Sequence, residues 1–289
     1  VDVHHSLCSV GTERRVFAGT QANMKYPVIP GYSAAGVVRK VGSAAACQEG
    51  DAVAIGASLP PTNCRVVWGG HASVSRVRAG DVLAIPEGIS MREAAINKLA
   101  GIAYHGFALA SPRPGQRIAL LGLGIIGQLS ARIFHACDGV DLIVGDLHPG
   151  RVEIARRAGL NAVVLDESLM PLEEDSFDMV VDATGVAAAI RRGVMLLKPA
   201  DWGTRAAAPR YVVQGSYAGD LPLPYQDAFE REACILLPRD EGVADRRDAL
   251  AMMGRGELAV ADMVGHVIAP QAYAQALEDT DHLTAVIDW

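Results

Sequence analysis

Residues 117–146 read RIALLGLGIIGQLSARIFHACDGVDLIVGD, and this stretch decides the fold. Residues 118–121 form a short, wholly apolar run, the pattern of a parallel strand buried on both faces. Gly122-Leu123-Gly124-Ile125-Ile126-Gly127 follows, and an apolar periodicity through Ile133 predicts a helix opening there. A second strand over 142–145 ends in Asp146, 19 residues after Gly127. In such a turn Gly122 makes the tight bend, Gly124 admits a pyrophosphate to the backbone, and Gly127 brings helix and strand close. The helix N-terminus, with Ile125 and Ile126 in its first turn, would face the anion. A carboxylate at Asp146 would accept hydrogen bonds from a ribose diol and repel a 2′-phosphate, so the unit predicts a dinucleotide site preferring NAD over NADP. His148 and Arg151 lie just beyond and soften that preference.

Outward from this unit the chain alternates strand and helix. Strands are expected at 162–165, 179–181 and 211–213, the last two ending in Asp182-Ala183-Thr184-Gly185 and Gln214-Gly215-Ser216. That alternation is the signature of a doubly wound parallel sheet. Ala183, Thr184 and Gly185 are expected beside the adenosine or nicotinamide ribose, at the carboxyl edge where nucleotides bind. Residues 1–90 instead carry short β-like runs (28–29, 36–41, 52–55, 72–77) punctuated by Gly, Pro and Asp, which predicts an antiparallel, barrel-like domain. Ser90-Met-Arg-Glu93 has capping-box spacing ahead of a helix over 94–108. The tail returns to mixed structure, with helices near 245–255 and 270–277 and a strand over 284–289. Three segments result: 1–98, the first part of a β-rich domain; 99–237, the nucleotide domain; and 238–289, a return to the first.

Composition narrows the classes of function. The chain has 289 residues, enough for two domains; half of it is apolar, and its net charge is −7, which disfavours nucleic acid or an anionic membrane surface as partner. No run approaches the roughly 18 apolar residues of a membrane helix. Five scattered cysteines without a CxxC pair predict a reducing, cytoplasmic setting. A small molecule is the expected partner.

The order of these motifs resembles the medium-chain dehydrogenase/reductase family, the zinc-type alcohol dehydrogenase-like proteins. The resemblance rests on Gly11-Thr12-Glu13, Pro30-Gly31, Gly50-Asp51, Gly69-Gly70-His71-Ala72, the helix after Ser90, Pro114-Gly115, the 117–146 unit and the closing AVIDW of 285–289. It implies an α/β fold with a GroES-like β-rich catalytic domain and a Rossmann doubly wound parallel-sheet domain. It also implies an opening β-hairpin ahead of Val1, hydride transfer between a substrate and nicotinamide, and a homodimer or homotetramer. By the same resemblance the backbone of Gln214, Gly215 and Ser216 meets the nicotinamide carboxamide, and Thr12 occupies the hydroxyl position of the proton relay.

Departures from the family pattern carry as much information. Val10 stands where the first zinc-binding cysteine falls, Tyr32-Ser33 where His-Glu falls, and Lys98 where the third ligand falls. Zinc takes thiolate, imidazole or carboxylate, so the catalytic ion is expected to be absent. The four-cysteine structural lobe is reduced to Cys64. Tyr32 and Lys98 replace groups that would have touched one ion, so they are expected near each other, with the ammonium favouring the phenolate of a Tyr32 acid/base. In the other reading Tyr32 fills space and Lys98 pairs with Glu13 or reaches solvent. His71 is expected to be structural. The phrase SLCSVGTE over 6–13 also resembles the zinc-free branch that includes bacteriochlorophyllide 3-hydroxyethyl dehydrogenases. The sequence is thus read as an NAD-dependent, zinc-independent oxidoreductase for a secondary alcohol or ketone. The alternatives are an NADPH-dependent quinone or enoyl reductase and a non-catalytic cofactor-binding protein.

Overall fold

The computed structural model describes residues 1–21, 24–59, 68–201, 207–217, 219–279 and 282–289. In chain order its elements are β1 (Asp2–Leu7), α1 (Val10–Phe17), β2 (Ala34–Val37), β3 (Ala52–Ile55), β4 (Val82–Ala84), α2 (Met91–Ala94), α3 (Asn97–Ala110), β5 (Arg117–Leu121), α4 (Ile125–His135), β6 (Asp141–Asp146), α5 (Pro149–Arg157), β7 (Ala162–Val164), β8 (Met179–Asp182), α6 (Ala187–Met195), β9 (Arg210–Val213), α7 (Tyr225–Glu230), β10 (Cys234–Leu236), α8 (Val243–Gly254), β11 (Val267–Ile268), α9 (Tyr273–Glu278) and β12 (Val286–Asp288). They form two compact units: Val1–Gly101 with Glu241–Trp289, and Ile102–Asp240.

The first unit is built on a six-stranded sheet in the order β11-β12-β1-β2-β3-β4. All its pairings are antiparallel except β11 with β12. The return segment enters the sheet through β12, whose Ile287 and Val286 lie opposite Ser6 and Leu7 of β1. Val3, Ala34, Val38, Val53 and Ile55 make one apolar core; Cys8, Ala276, Ala285 and Ile287 make another.

Two expected strands of this unit do not form. Residues 28–29 lie between Pro27 and Pro30, which offer no N–H to a ladder, and Ile29 instead accepts from the Gly69 N–H. Of residues 72–77, only Val74 makes a bridge, to Asp2. The helix expected after Ser90 is interrupted. Its capping box is present, with the Ser90 side chain accepting from the Glu93 N–H. The chain then breaks at Ala95-Ile96, where the Ala95 carbonyl accepts from Ser33 Oγ at 2.6 Å. Asn97 restarts the helix from a buried position, its Nδ2 donating to the carbonyls of Ala34, Ile55 and Ala94.

The second unit is a wholly parallel sheet in the order β10-β9-β8-β5-β6-β7. Alternation along β5 explains its placement at the centre. Ile118 and Leu120 face one apolar layer with Phe134 and Val144, while Ala119 and Leu121 face the other with Phe177 and Tyr211. A strand buried on both faces has no solvent side and reads as continuous hydrophobic sequence. The winding direction reverses between β5 and β8, so their carboxyl ends open a crevice, the place where ligands bind in open α/β sheets.

Candidate functional site

In the second unit, the turn after β5 has the geometry its glycines predict. Gly122 sits at φ +87°, in the left-handed region, and a Cβ there would lie 2.9 Å from Thr184 Cα. At Gly127 a Cβ would run into the Gly122 carbonyl oxygen, so helix α4 could not seat against the strand. Gly124, the N-cap of α4, has open space where its Cβ would be. The first-turn N–H groups of Ile125 and Ile126 therefore lie at a helix end with no side chain above its cap, a cradle suited to a pyrophosphate.

Asp146 knits this turn to the end of β6. Its Oδ2 accepts from the Leu123 N–H at 2.6 Å and its Oδ1 from the His148 N–H at 2.8 Å. Arg151 Nη1 stands 3.7 Å from the same carboxylate. Each carboxylate oxygen has two lone-pair directions, so acceptor capacity is left for a sugar hydroxyl. A pocket of about 1130 Å³ opens here, lined among others by Gly122, Gly124, Asp146, Arg151, Ala183 and Thr184. Arg191, Arg192 and His148 add a basic side to it.

The remaining expected cofactor residues cluster beside β8. Asp182, fully buried, accepts through Oδ1 from both the N–H and the hydroxyl of Thr184, and through Oδ2 from Tyr211 Oη. Burial, and next the Asp182 charge, push the Tyr211 phenol upward in pKa, so it stays a donor. The Asp182 carbonyl accepts from the N–H groups of Gln214 and Gly215, which joins the ends of β8 and β9 and brings Gly185 close to Ser216. Gln214 Nε2 donates to the Ile102 carbonyl. Gln214, Gly215 and Ser216 are outside the pocket lining, as are Ile125, Ile126, Gly127 and Gly185.

In the first unit, Tyr32 and Lys98 are brought together. Lys98 Nζ lies 5.9 Å from the centroid of the Tyr32 ring and 2.5 Å from Glu241 Oε2. Glu13, the alternative ion-pair partner expected for Lys98, is instead engaged by His71 and Tyr273, and the return segment delivers Glu241 to the ammonium. Tyr32 is 8% exposed, donates its hydroxyl to Ser9 Oγ and packs edge-on against Trp68 at 5.1 Å. Thr12 Oγ1 accepts from Arg15 Nη2 at 3.5 Å, and Arg15 also bonds Gln21.

Glu13 is fully buried and central to a network that only its motif hinted at. Its Oε2 lies 2.8 Å from His71 Nε2 and accepts from Tyr273 Oη at 2.7 Å; its Oε1 accepts from the Ser9 N–H at 2.8 Å. His71 Nδ1 in turn meets Ser6 Oγ at 2.9 Å. Burial alone would raise the Glu13 pKa, but His71, the Ser9 N–H and Tyr273 together hold it below the usual glutamate value. No local pattern in the sequence marks Ser9, Tyr273 or Glu241.

The donor set does not suit the catalytic zinc of the family. Val10 offers no ligand atom, Ser33 Oγ is spent on the Ala95 carbonyl, and Lys98 brings an ammonium. Cys8, Glu13 and His71 do place three ligand-type atoms within 4.8 Å of one another. However, burial and then Glu13 push the Cys8 thiol up in pKa, and both His71 nitrogens and both Glu13 oxygens already have partners. That trio reads as a hydrogen-bonded clamp. Cys64 lies outside the described residues.

Comparison with known proteins agrees with this architecture. Residues 2–103 match the model of the alcohol dehydrogenase GroES-like domain. The chain is 28% identical to the 2-desacetyl-2-hydroxyethyl bacteriochlorophyllide A dehydrogenase of Rhodobacter capsulatus, over all of this chain (100%) and 89% of that one. It is 26% identical to the probable D-xylulose reductase A of Aspergillus clavatus, over 89% and 78% respectively. Among solved structures, an Escherichia coli alcohol dehydrogenase complexed with NADH superposes with TM-score 0.83 at 20% identity, covering 100% of this chain and 91% of that one. A zinc-binding dehydrogenase class structure from Sinorhizobium meliloti bound to NADP gives 0.82 at 18%, with the same coverage. The fold and these likenesses are those of an alcohol dehydrogenase-type oxidoreductase. Residues 2–103 carry the alcohol dehydrogenase GroES-like domain, and over its length the chain is similar to alcohol dehydrogenase-like members of the medium-chain dehydrogenase/reductase family.

Proposed function

We propose that this protein is an NAD-dependent, zinc-independent dehydrogenase that transfers hydride between a secondary alcohol or ketone and nicotinamide. The observation that carries the cofactor preference is Asp146, a carboxylate in the pocket at the end of β6, bonded to the backbone of the glycine turn. Gly122, Gly124 and the first turn of α4 would hold the pyrophosphate, Asp146 the adenosine ribose, and Ala183, Thr184 and Gly185 the sugar side of β8. Gln214, Gly215 and Ser216 would meet the carboxamide. Bound NAD⁺ supplies the hydride acceptor.

The chain's own residues would handle the proton. On oxidation the carbinol carbon gives up a hydride and the hydroxyl a proton, which the phenolate form of Tyr32 would accept, becoming the phenol that donates to Ser9 Oγ. Lys98, held by Glu241 beside the Tyr32 ring, would favour the anionic form of the oxygen that loses the proton. Thr12 would extend the hydroxyl relay. Absence of a ligand set at Val10, Tyr32, Ser33 and Lys98 supports independence from zinc. Four cysteines among the described residues, Cys8, Cys47, Cys137 and Cys234, are free, in keeping with a cytoplasmic setting. Strand β10, at the sheet edge, supports a homodimer or homotetramer.

A second reading, an NADPH-dependent quinone or enoyl reductase, draws on the basic side chains Arg151, Arg191 and Arg192 of the pocket. Parallel fluorescence titrations with NADH and NADPH separate the two. Tighter NADH binding, followed by NAD⁺-dependent oxidation of a secondary alcohol that Tyr32→Phe abolishes, supports the first reading. Tighter NADPH binding overturns it, and unchanged turnover in Tyr32→Phe removes Tyr32 from the proton path.

A further inference from the structure

The return segment of the first unit gathers a second set of donor atoms that the proposed reaction does not use. His266 stands just before β11, and its carbonyl accepts from the Val286 N–H at the start of β12. Asp279 closes α9; its carbonyl and that of Leu277 accept from the Arg14 guanidinium of α1. His282 lies three positions on in sequence, its N–H directed at Asp279 Oδ1. Two anchored pieces of backbone, with His282 held to Asp279, thus bring three side chains to one place.

The side-chain geometry is specific. Asp279 Oδ2 lies 2.8 Å from His282 Nδ1 and 3.5 Å from His266 Nε2. The two imidazoles stack, with centroids 4.0 Å apart and planes inclined by 10°. All three ligand-type atoms lie within 4.8 Å of one another. Bonds of about 2.0–2.2 Å around a tetrahedral ion would space its donors by roughly 3.3–3.6 Å, and the 3.5 Å between Asp279 Oδ2 and His266 Nε2 already matches. Imidazole lone pairs lie in the ring plane, so an ion shared by both nitrogens turns one ring out of the stack by rotation about its side-chain torsions, with Asp279 completing the set. Two nitrogens and one oxygen form a borderline donor set, which selects zinc-class transition metals over magnesium or calcium.

The geometry points to a divalent zinc-class metal site formed by His266 Nε2, Asp279 Oδ2 and His282 Nδ1. His282 is half exposed, which leaves a fourth position to water. Such an ion ties the end of α9 and the approach to β12 onto β11, so it acts as a clip on the return segment. Metal bound only by the folded chain raises its stability by mass action.

The test uses the untagged full chain, stripped with EDTA and titrated with Zn²⁺ against a chromogenic chelator, with metal content measured after gel filtration. One retained equivalent is expected, together with a melting temperature that rises with Zn²⁺ concentration. His266→Ala and His282→Ala should weaken binding by roughly tenfold or more and remove the thermal shift. His282→Gln, nearly isosteric, guards against loss of binding through misfolding and should behave like His282→Ala. Cys8→Ser, which removes a donor from the buried trio, should keep the equivalent. No bound Zn²⁺, or an equivalent that survives the histidine substitutions or disappears only in Cys8→Ser, overturns the site.

Discussion

Lys98 and Glu241, 143 positions apart in sequence, meet at 2.5 Å with 14% and 5% of their side chains exposed. The pair places an ammonium beside the Tyr32 ring, and Glu241 also stands 3.5 Å from Arg246 Nε. This carboxylate therefore faces two buried cations, while Asp81 stands 3.9 Å from Arg246 Nη2. Removing it leaves like charges side by side in a poorly hydrated place. Glu241→Ala should destabilise the protein by about 3 kcal/mol, read from urea unfolding. A change below about 1 kcal/mol would show that solvent reaches the pair freely.

Two glycines of the same turn should fail in different ways. Gly127→Ala drives a methyl group into the Gly122 carbonyl, so its effect appears as lost stability even without cofactor, roughly 1–3 kcal/mol or more. Gly124→Ala meets nothing, and costs only about 1 kcal/mol through the weaker N-cap. Its methyl group instead occupies the approach to the backbone. NADH affinity should fall by about tenfold or more in Gly124→Ala while thermal unfolding of the free protein changes little.

Asp146→Ser should shift cofactor preference. The substitution removes the negative charge facing a 2′-phosphate and releases Arg151, now 3.7 Å away. The ratio of NADPH to NADH affinity is expected to rise by about tenfold, roughly 1.4 kcal/mol of differential binding. Paired fluorescence titrations at fixed ionic strength measure it.

Acid stability should carry the mark of Glu13. Its pKa is lowered in the folded chain, because contributions from His71, the Ser9 N–H and Tyr273 outweigh burial. A depressed carboxylate contributes stability that is fully present above the unfolded value of about 4.3 and is lost as pH falls through the folded value. The wild type should thus lose stability progressively below about pH 4.3. Glu13→Gln should be less stable at neutral pH and show a shallower decline in acid, measured as urea midpoints across pH.

Sequence alone determined the parallel nucleotide unit. Strand β5, the glycine turn, helix α4 and Asp146 lie within one continuous stretch, and each step depends on local sterics: a left-handed Gly122, a Gly127 packed too closely for any side chain, a strand apolar on both faces. The loss of ligand-type residues at Val10, Tyr32 and Lys98 was legible for the same reason, since it needs only residue identity at a motif position. Strands expected at 28–29 and 72–77 failed because hydrogen-bond partners, not apolar runs, make a strand. Tertiary structure alone decided the partners. Glu241 reaches Lys98, Tyr273 reaches Glu13 from 260 positions away, and His266 is set beside Asp279 and His282 by the pairing of β11 with β12. Such contacts depend on how the return segment closes a long loop onto the first sheet. No local periodicity encodes that closure, and at these distances charge and hydrogen-bond geometry act only after the backbone has brought the groups together.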